Sequence, residues 1–232
     1  MATRDFNVSG FIRVHIKWAM EVEIVRGDTF SLSVTGTDTQ VKNVNAVVEG
    51  DRLTIGYDLN LISLFALPFN RMSAKITMPE LRELDISGAA QGHIKGFSAA
   101  KDFSLYVSGA SNLEIVDMGV ANMKWDLSGA SRIFASVKAE GDVDMRISGA
   151  SQITIRGAAK DMTVDASGAS HLDMVDLSVR NARYRMSGAS HGIVNVNGKL
   201  DAILDGASHL DYSGQPTMGE VRVTGASTLK KR

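Results

Sequence analysis

Three of the chain's five histidines, His171, His191 and His209, each stand three places after the glycine of a recurring Ser-Gly-Ala-Ser or Asp-Gly-Ala-Ser motif. If successive motifs lie side by side as neighbouring strands, their backbones are about 4.8 Å apart. Two imidazoles at that distance can share a Zn²⁺ or Ni²⁺ ion, with Asp173 and Asp211, two places further on, as carboxylate ligands. The same place in earlier motifs holds Asn112, Arg132 and Gln152. A polar ladder with stacked rings therefore accounts for the whole column, whereas a metal centre accounts for part of it. No metal ion or other cofactor is assigned.

The serines invite a second chemistry. A nucleophile elbow is one Gly-x-Ser-x-Gly turn served by one histidine and one acid. Here Ser108, Ser128, Ser148, Ser167 and Ser187 recur in motif after motif, as a stacked hydroxyl ladder would. Glycoside cleavage needs clustered carboxylates in a groove. Asp142 with Asp144, and Asp173 with Asp176, come nearest, and each falls where the repeats place acids anyway. No catalytic residue is assigned. A carbohydrate-active enzyme working on a lateral face remains the alternative to a non-enzymatic scaffold.

What must position these residues is the repeat itself. Its glycines are Gly88, Gly109, Gly129, Gly149, Gly168, Gly188, Gly206 and Gly225, with gaps of 21, 20, 20, 19, 20, 18 and 19 residues. Two, four and six places before them the residues are apolar (Val107, Leu105 and Phe103, for example), and apolar residues return four and six places after (Leu113, Ile115). Alternation of this kind on both sides of a turn is strand periodicity with one face buried. A unit of about twenty residues holding such strands is one coil of a parallel β-helix; propeller blades need about forty. The glycine is expected at a corner with positive φ. Asp102, Asn122, Asp142, Asp161 and Asn181, seven places earlier, are expected at a second corner, since Asp and Asn tolerate left-handed turns. Three places before the glycine, Asp126, Arg146, Asp165 and Arg185 alternate in sign, which disfavours a slipped register.

Residues 81–232 are thus the repeat coils, and residues 1–80 an N-terminal β region and cap continuous with them. Within the latter, residues 11–17, 20–24, 30–34 and 53–57 alternate as strands. The first two make either a hairpin or two sides of a coil. Residues 59–69 break the pattern: Leu61, Leu64, Phe65 and Phe69 crowd around Pro68 without a charge. This segment either plugs an open end of the sheet or joins copies into a homo-oligomer.

The stretch Leu84-Asp85-Ile86-Ser87-Gly88-Ala89, the later Ser-Gly-Ala-Ser copies and the opening Phe6-Asn7-Val8-Ser9-Gly10-Phe11-Ile12 resemble a bacterial family. It is described as putative auto-transporter adhesin, head GIN domain. The resemblance implies a right-handed β-helix in an exported or surface-associated bacterial protein, with an unidentified protein or glycan as ligand. The family brings no catalytic residues to carry over. Met1–Phe6 has no apolar h-region, so no export signal is visible in the chain. With 25 Lys and Arg against 26 Asp and Glu, nothing in the charge favours nucleic acid. No cysteine is present to form a disulfide or a thiolate metal site.

Overall fold

The computed structural model describes residues 1–57, 72–98 and 101–232. The segment 59–69, with Leu61, Leu64, Phe65 and Phe69, lies outside the described residues. From Lys101 onward every pairing is parallel and joins a strand to its equivalent in a neighbouring coil, building a β-solenoid of about seven turns. The register follows the repeat: Gly88, Gly109, Gly129, Gly149 and Gly168 are direct neighbours across successive strands.

Each coil is a three-sided turn. One side runs into the glycine (residues 103–109, 123–129 and 143–149), and a second leaves it (112–116, 132–136 and 152–156). A third, shorter side carries Met118, Val137, Gly157 and Leu177 in register. The interior columns are filled as the alternation requires. Leu105, Trp125, Met145, Val164, Tyr184 and Ala202 are all fully buried, and each large apolar side chain so buried stabilises the fold by about 1.5–3 kcal/mol. In the last coil the equivalent places, Met218, Val221 and Val223, are 39–44% exposed because no strand follows them among the described residues.

The N-terminal strands enter the stack out of chain order. Arg13–Ile16 lies in parallel between Arg52–Tyr57 and Glu83–Gly88, and Glu21–Arg26 lies between Ser73–Met78 and Gln91–Lys95. The first two repeating stretches are therefore two sides of one coil, not a hairpin. Beyond them the pairing turns antiparallel. Val44–Glu49 folds back on Arg52–Tyr57, while Ser31–Gly36 pairs with Ser73–Met78 and with Ala2–Phe6. A six-residue helix, Asp38–Asn43, joins the two layers. Its start is held by a capping box in which Thr37 and Gln40 exchange side-chain-to-backbone bonds.

Candidate functional site: the glycine corner and the column beside it

The corner is held by two sets of hydrogen bonds. The alanine after each glycine donates its N–H to the glycine carbonyl of the coil before, as from Ala130 to Gly109 and from Ala150 to Gly129, both at 2.9 Å. Gly109, Gly129 and Gly149 have φ of 124°, 107° and 114°, values that L side chains rarely adopt. A Cβ on Gly149 would also lie about 3.0 Å from the Gly129 nitrogen and well inside contact with its carbonyl oxygen.

The second set comes from a serine column that the alternation does not single out. The second serine of each motif, Ser111, Ser131, Ser151, Ser170, Ser190 and Ser208, is at most 3% exposed. Ser131 Oγ accepts the Ser111 N–H at 3.3 Å and reaches the Gly109 carbonyl at 3.5 Å; Ser151 and Ser170 do the same one coil on. Buried donors and acceptors of the corner are thus satisfied from the next coil. The first serines behave otherwise. Ser108, Ser128 and Ser148 are exposed. Ser128 and Ser148 only approach a backbone carbonyl, at 3.5 Å. The expected ladder of first serines is not the one that ties the coils. One signal marks the right column: from Ser111 to Ser227 the second serine never changes, whereas the first becomes Asp205 and Thr224.

Outside the corner lies a shallow trough of about 510 Å³, floored by Ala89, Ala110 and Ala130 and walled by Asn112, Arg132 and Gln152. The wall continues in strict register through His171, His191 and His209. Arg132 Nε donates to Gln152 Oε1 at 3.0 Å. The three imidazoles meet as the spacing requires. His171 and His191 stack at 5.1 Å with planes 10° apart, and His191 and His209 at 6.3 Å. Ring nitrogens carry their lone pairs in the ring plane, so parallel rings aim them along parallel lines instead of at one ion. Among the described residues no group of three or more His, Asp or Glu side chains could hold a metal. His209 Nδ1 donates to the Ala207 carbonyl at 3.0 Å. Burial, then the neighbouring His171, holds the His191 pKa below its ordinary value, while Asp211 works the other way.

The carboxylates are dispersed among structural roles. Asp176 pairs with Arg156 at 3.3 Å, and Asp173 accepts the Val175 N–H at 3.3 Å. Asp142 and Asp161 belong to the second corner, whose residues work differently from the expectation. Asp117 is the one non-glycine residue with positive φ among the described residues, so Asp102, Asn122, Asp142, Asp161 and Asn181 adopt no left-handed turn. Their side chains instead cap the next coil: Asn122 Nδ2 donates to Asp102 Oδ1 at 2.9 Å and Asn122 Oδ1 accepts the Asp142 N–H at 3.0 Å. Arg180, donating three hydrogen bonds to Asp161, keeps that carboxyl below the usual carboxylate range, with Asn181 adding to the effect. The alternating column stacks Asp126, Arg146, Asp165 and Arg185 as direct neighbours. Arg185 and Asp165 approach to 3.7 Å with both side chains largely in water, a contact worth about 0–1 kcal/mol.

The family model described as putative auto-transporter adhesin, head GIN domain, matches residues 10–216. Solved structures repeat the whole fold. A putative adhesin from Bacteroides fragilis superposes with a TM-score of 0.74 at 18% identity, covering 100% of this chain and 96% of its own. A putative lipid binding protein from Parabacteroides distasonis gives 0.81 at 19% identity over 100% and 96%. A putative adhesin from Parabacteroides merdae gives 0.81 at 14% identity over 100% and 95%. No curated protein matches the sequence. Among the described residues, no helix is long and apolar enough to cross a membrane.

Proposed function

We propose that this chain, which belongs to the putative auto-transporter adhesin, head GIN domain family, is a non-enzymatic binding scaffold of the bacterial envelope. It works outside the cytoplasm and lays an extended ligand, a glycan or a protein segment, along the glycine corner. The observation that carries this reading is the sameness of the coils. The alanine floor and the polar wall repeat at one strand spacing per coil, each corner tied by the same two sets of bonds. An active site would make one coil unlike the others, with acids converging on a cleft. The acids described above are instead spread over ion pairs and corner caps. Rigid elements carrying a regular array suit recognition of a polymer, whose own repeat meets the array many times over.

The test is a glycan array probed with the purified chain, alongside an assay for newly released reducing ends and a mass measurement in solution. Retention of at least one extended glycan without release of sugar is the expected outcome. Release of reducing ends that depends on Asp144 or Asp173 would replace this reading with that of a carbohydrate-active enzyme.

A further inference from the structure

The column beside the glycine corner has a composition that the fold does not demand. From Gln91 through Asn112, Arg132 and Gln152 to the three histidines, every side chain is exposed or half-buried, and none is a carboxylate. Asn, Gln and Arg present N–H donors, and imidazole presents two when protonated. Acids stand one outward column further along, and the structure gives them work there. Glu114 meets His93 Nδ1 at 3.1 Å, Asp211 meets Arg232 at 4.0 Å, and Asp173 takes a backbone N–H. The result is a polar track over seven coils, whose first four lie beside the trough with its methyl floor.

From this juxtaposition we infer that the column is the track for an acidic polysaccharide carrying one carboxylate per sugar, a 1,4-linked polyuronate, laid along the solenoid axis. The inference rests on the scaffold reading above and names its ligand class. The column offers a polar side chain at every strand spacing, ~4.8 Å, so the carboxylates on one side of an extended polyuronate find donors at several coils. Amide and guanidinium donors serve carboxylates well, and the bonds of Arg132 are charge-assisted. A neutral glycan would find its hydroxyl acceptors in the amide oxygens and the unprotonated imidazole nitrogens, and the latter are lost when the histidines take up protons.

The histidines make the track responsive to pH. The groups facing them are Asp173 and Asp211 on the next column, Arg232 beyond Asp211, Gln152 and Thr228 at the two ends, and, alongside the acids, the apolar Ile193 and the cationic Lys230. Burial, the neighbouring His171 and His209, and Arg232 oppose protonation of His191, Asp211 favours it, and a bound polyanion favours it further. Binding therefore takes up protons and tightens as pH falls through the histidine range.

The experiment is isothermal titration of the full chain with an oligogalacturonate, and with a neutral 1,4-linked glucan of the same length, at pH 5.5 and pH 7.5. The expected result is binding of the oligogalacturonate alone, about tenfold tighter at the lower pH. The combined His171→Asn and His191→Asn changes should remove the pH dependence. Arg132→Gln should weaken binding about tenfold at both values, while Lys124→Gln, on another side of the coil, should leave it unchanged. Equal affinity for the two polymers, or a pH dependence that survives loss of the histidines, overturns the inference. A glucan that binds where oligogalacturonate does not also overturns it and leaves the scaffold reading standing. Silence from both polymers and from the glycan array removes both.

Discussion

Gly149→Ala isolates the stacking of the corners from the conformation of its glycine. Two costs arise at this position. The first is φ of 114°, in a region that non-glycine residues enter at about 1–3 kcal/mol. The second is the new Cβ, which would overlap the Gly129 carbonyl oxygen and lie 3.0 Å from the Gly129 nitrogen. Backbone in a stacked coil yields only by disturbing the bond from Ala150 N–H to Gly129 O, and leaving a buried partner unpaired costs about 1–3 kcal/mol. Together these give about 2–6 kcal/mol. Gly50 is the control. Its φ is 61°, and a Cβ there meets nothing within 4 Å, so Gly50→Ala should cost about 1 kcal/mol. At ~3 °C per kcal/mol for a chain of this length, thermal unfolding followed by circular dichroism should show losses of about 6–18 °C and about 3 °C. Equal losses would mean that the neighbouring coil contributes nothing to the glycine requirement, and the close approach of the corners would be wrong.

Further expectations follow from the other columns. Ser151→Ala strips the buried Ser131 amide of its partner and should cost about 1–3 kcal/mol, whereas Ser148→Ala should stay within about 0.5 kcal/mol; denaturant titration of both separates the two serine columns. His191 has a folded-state pKa below its unfolded value, so its contribution to stability is full above pH 6.5 and is lost as pH falls through the folded pKa. His15, its pKa lowered by burial against the pull of Asp85, acts in the same direction. Melting temperature should therefore drop between pH 7 and pH 5, and His191→Gln should flatten part of that drop; an unchanged slope would remove the imidazole stack as its cause. The apolar segment 59–69 is expected either to plug the open end of the sheet or to join copies. Replacing Leu64, Phe65 and Phe69 by Ser should reduce the sedimenting mass with the fold retained if it joins copies, and loss of the fold instead would show a plug.

Much of the solenoid was legible in the sequence because one period governs everything that packs. The glycine spacing, the apolar columns and the pairing of Asp126 with Arg146 all follow from stacking identical units, and the structure places them in register. Two things were not legible. The entry of Arg13–Ile16 between Arg52–Tyr57 and Glu83–Gly88 depends on long-range pairing, and alternation carries no information about which strand neighbours which. Column equivalence also misleads where a side chain bends back. Gly141 shares its place with Lys101 and Lys160 and so looks replaceable. Yet a Cβ there would overlap Asn122 Oδ1 and lie 2.9 Å from the Ala121 carbonyl oxygen. At the candidate site, the histidine column was visible by counting. The stacked, non-converging arrangement of its rings was not, because side-chain torsion is independent of spacing.

The central claim is that an extended ligand lies along the glycine corner, against the column from Gln91 to His209. Amide chemical-shift mapping with the best glycan from the array tests it most directly. Shifts should concentrate at Ala110, Asn112, Ala130, Arg132, Gln152 and His171, repeating from coil to coil, with the Asp126 to Arg185 column silent. A footprint centred on that silent column, or confined to a single coil, would contradict the claim.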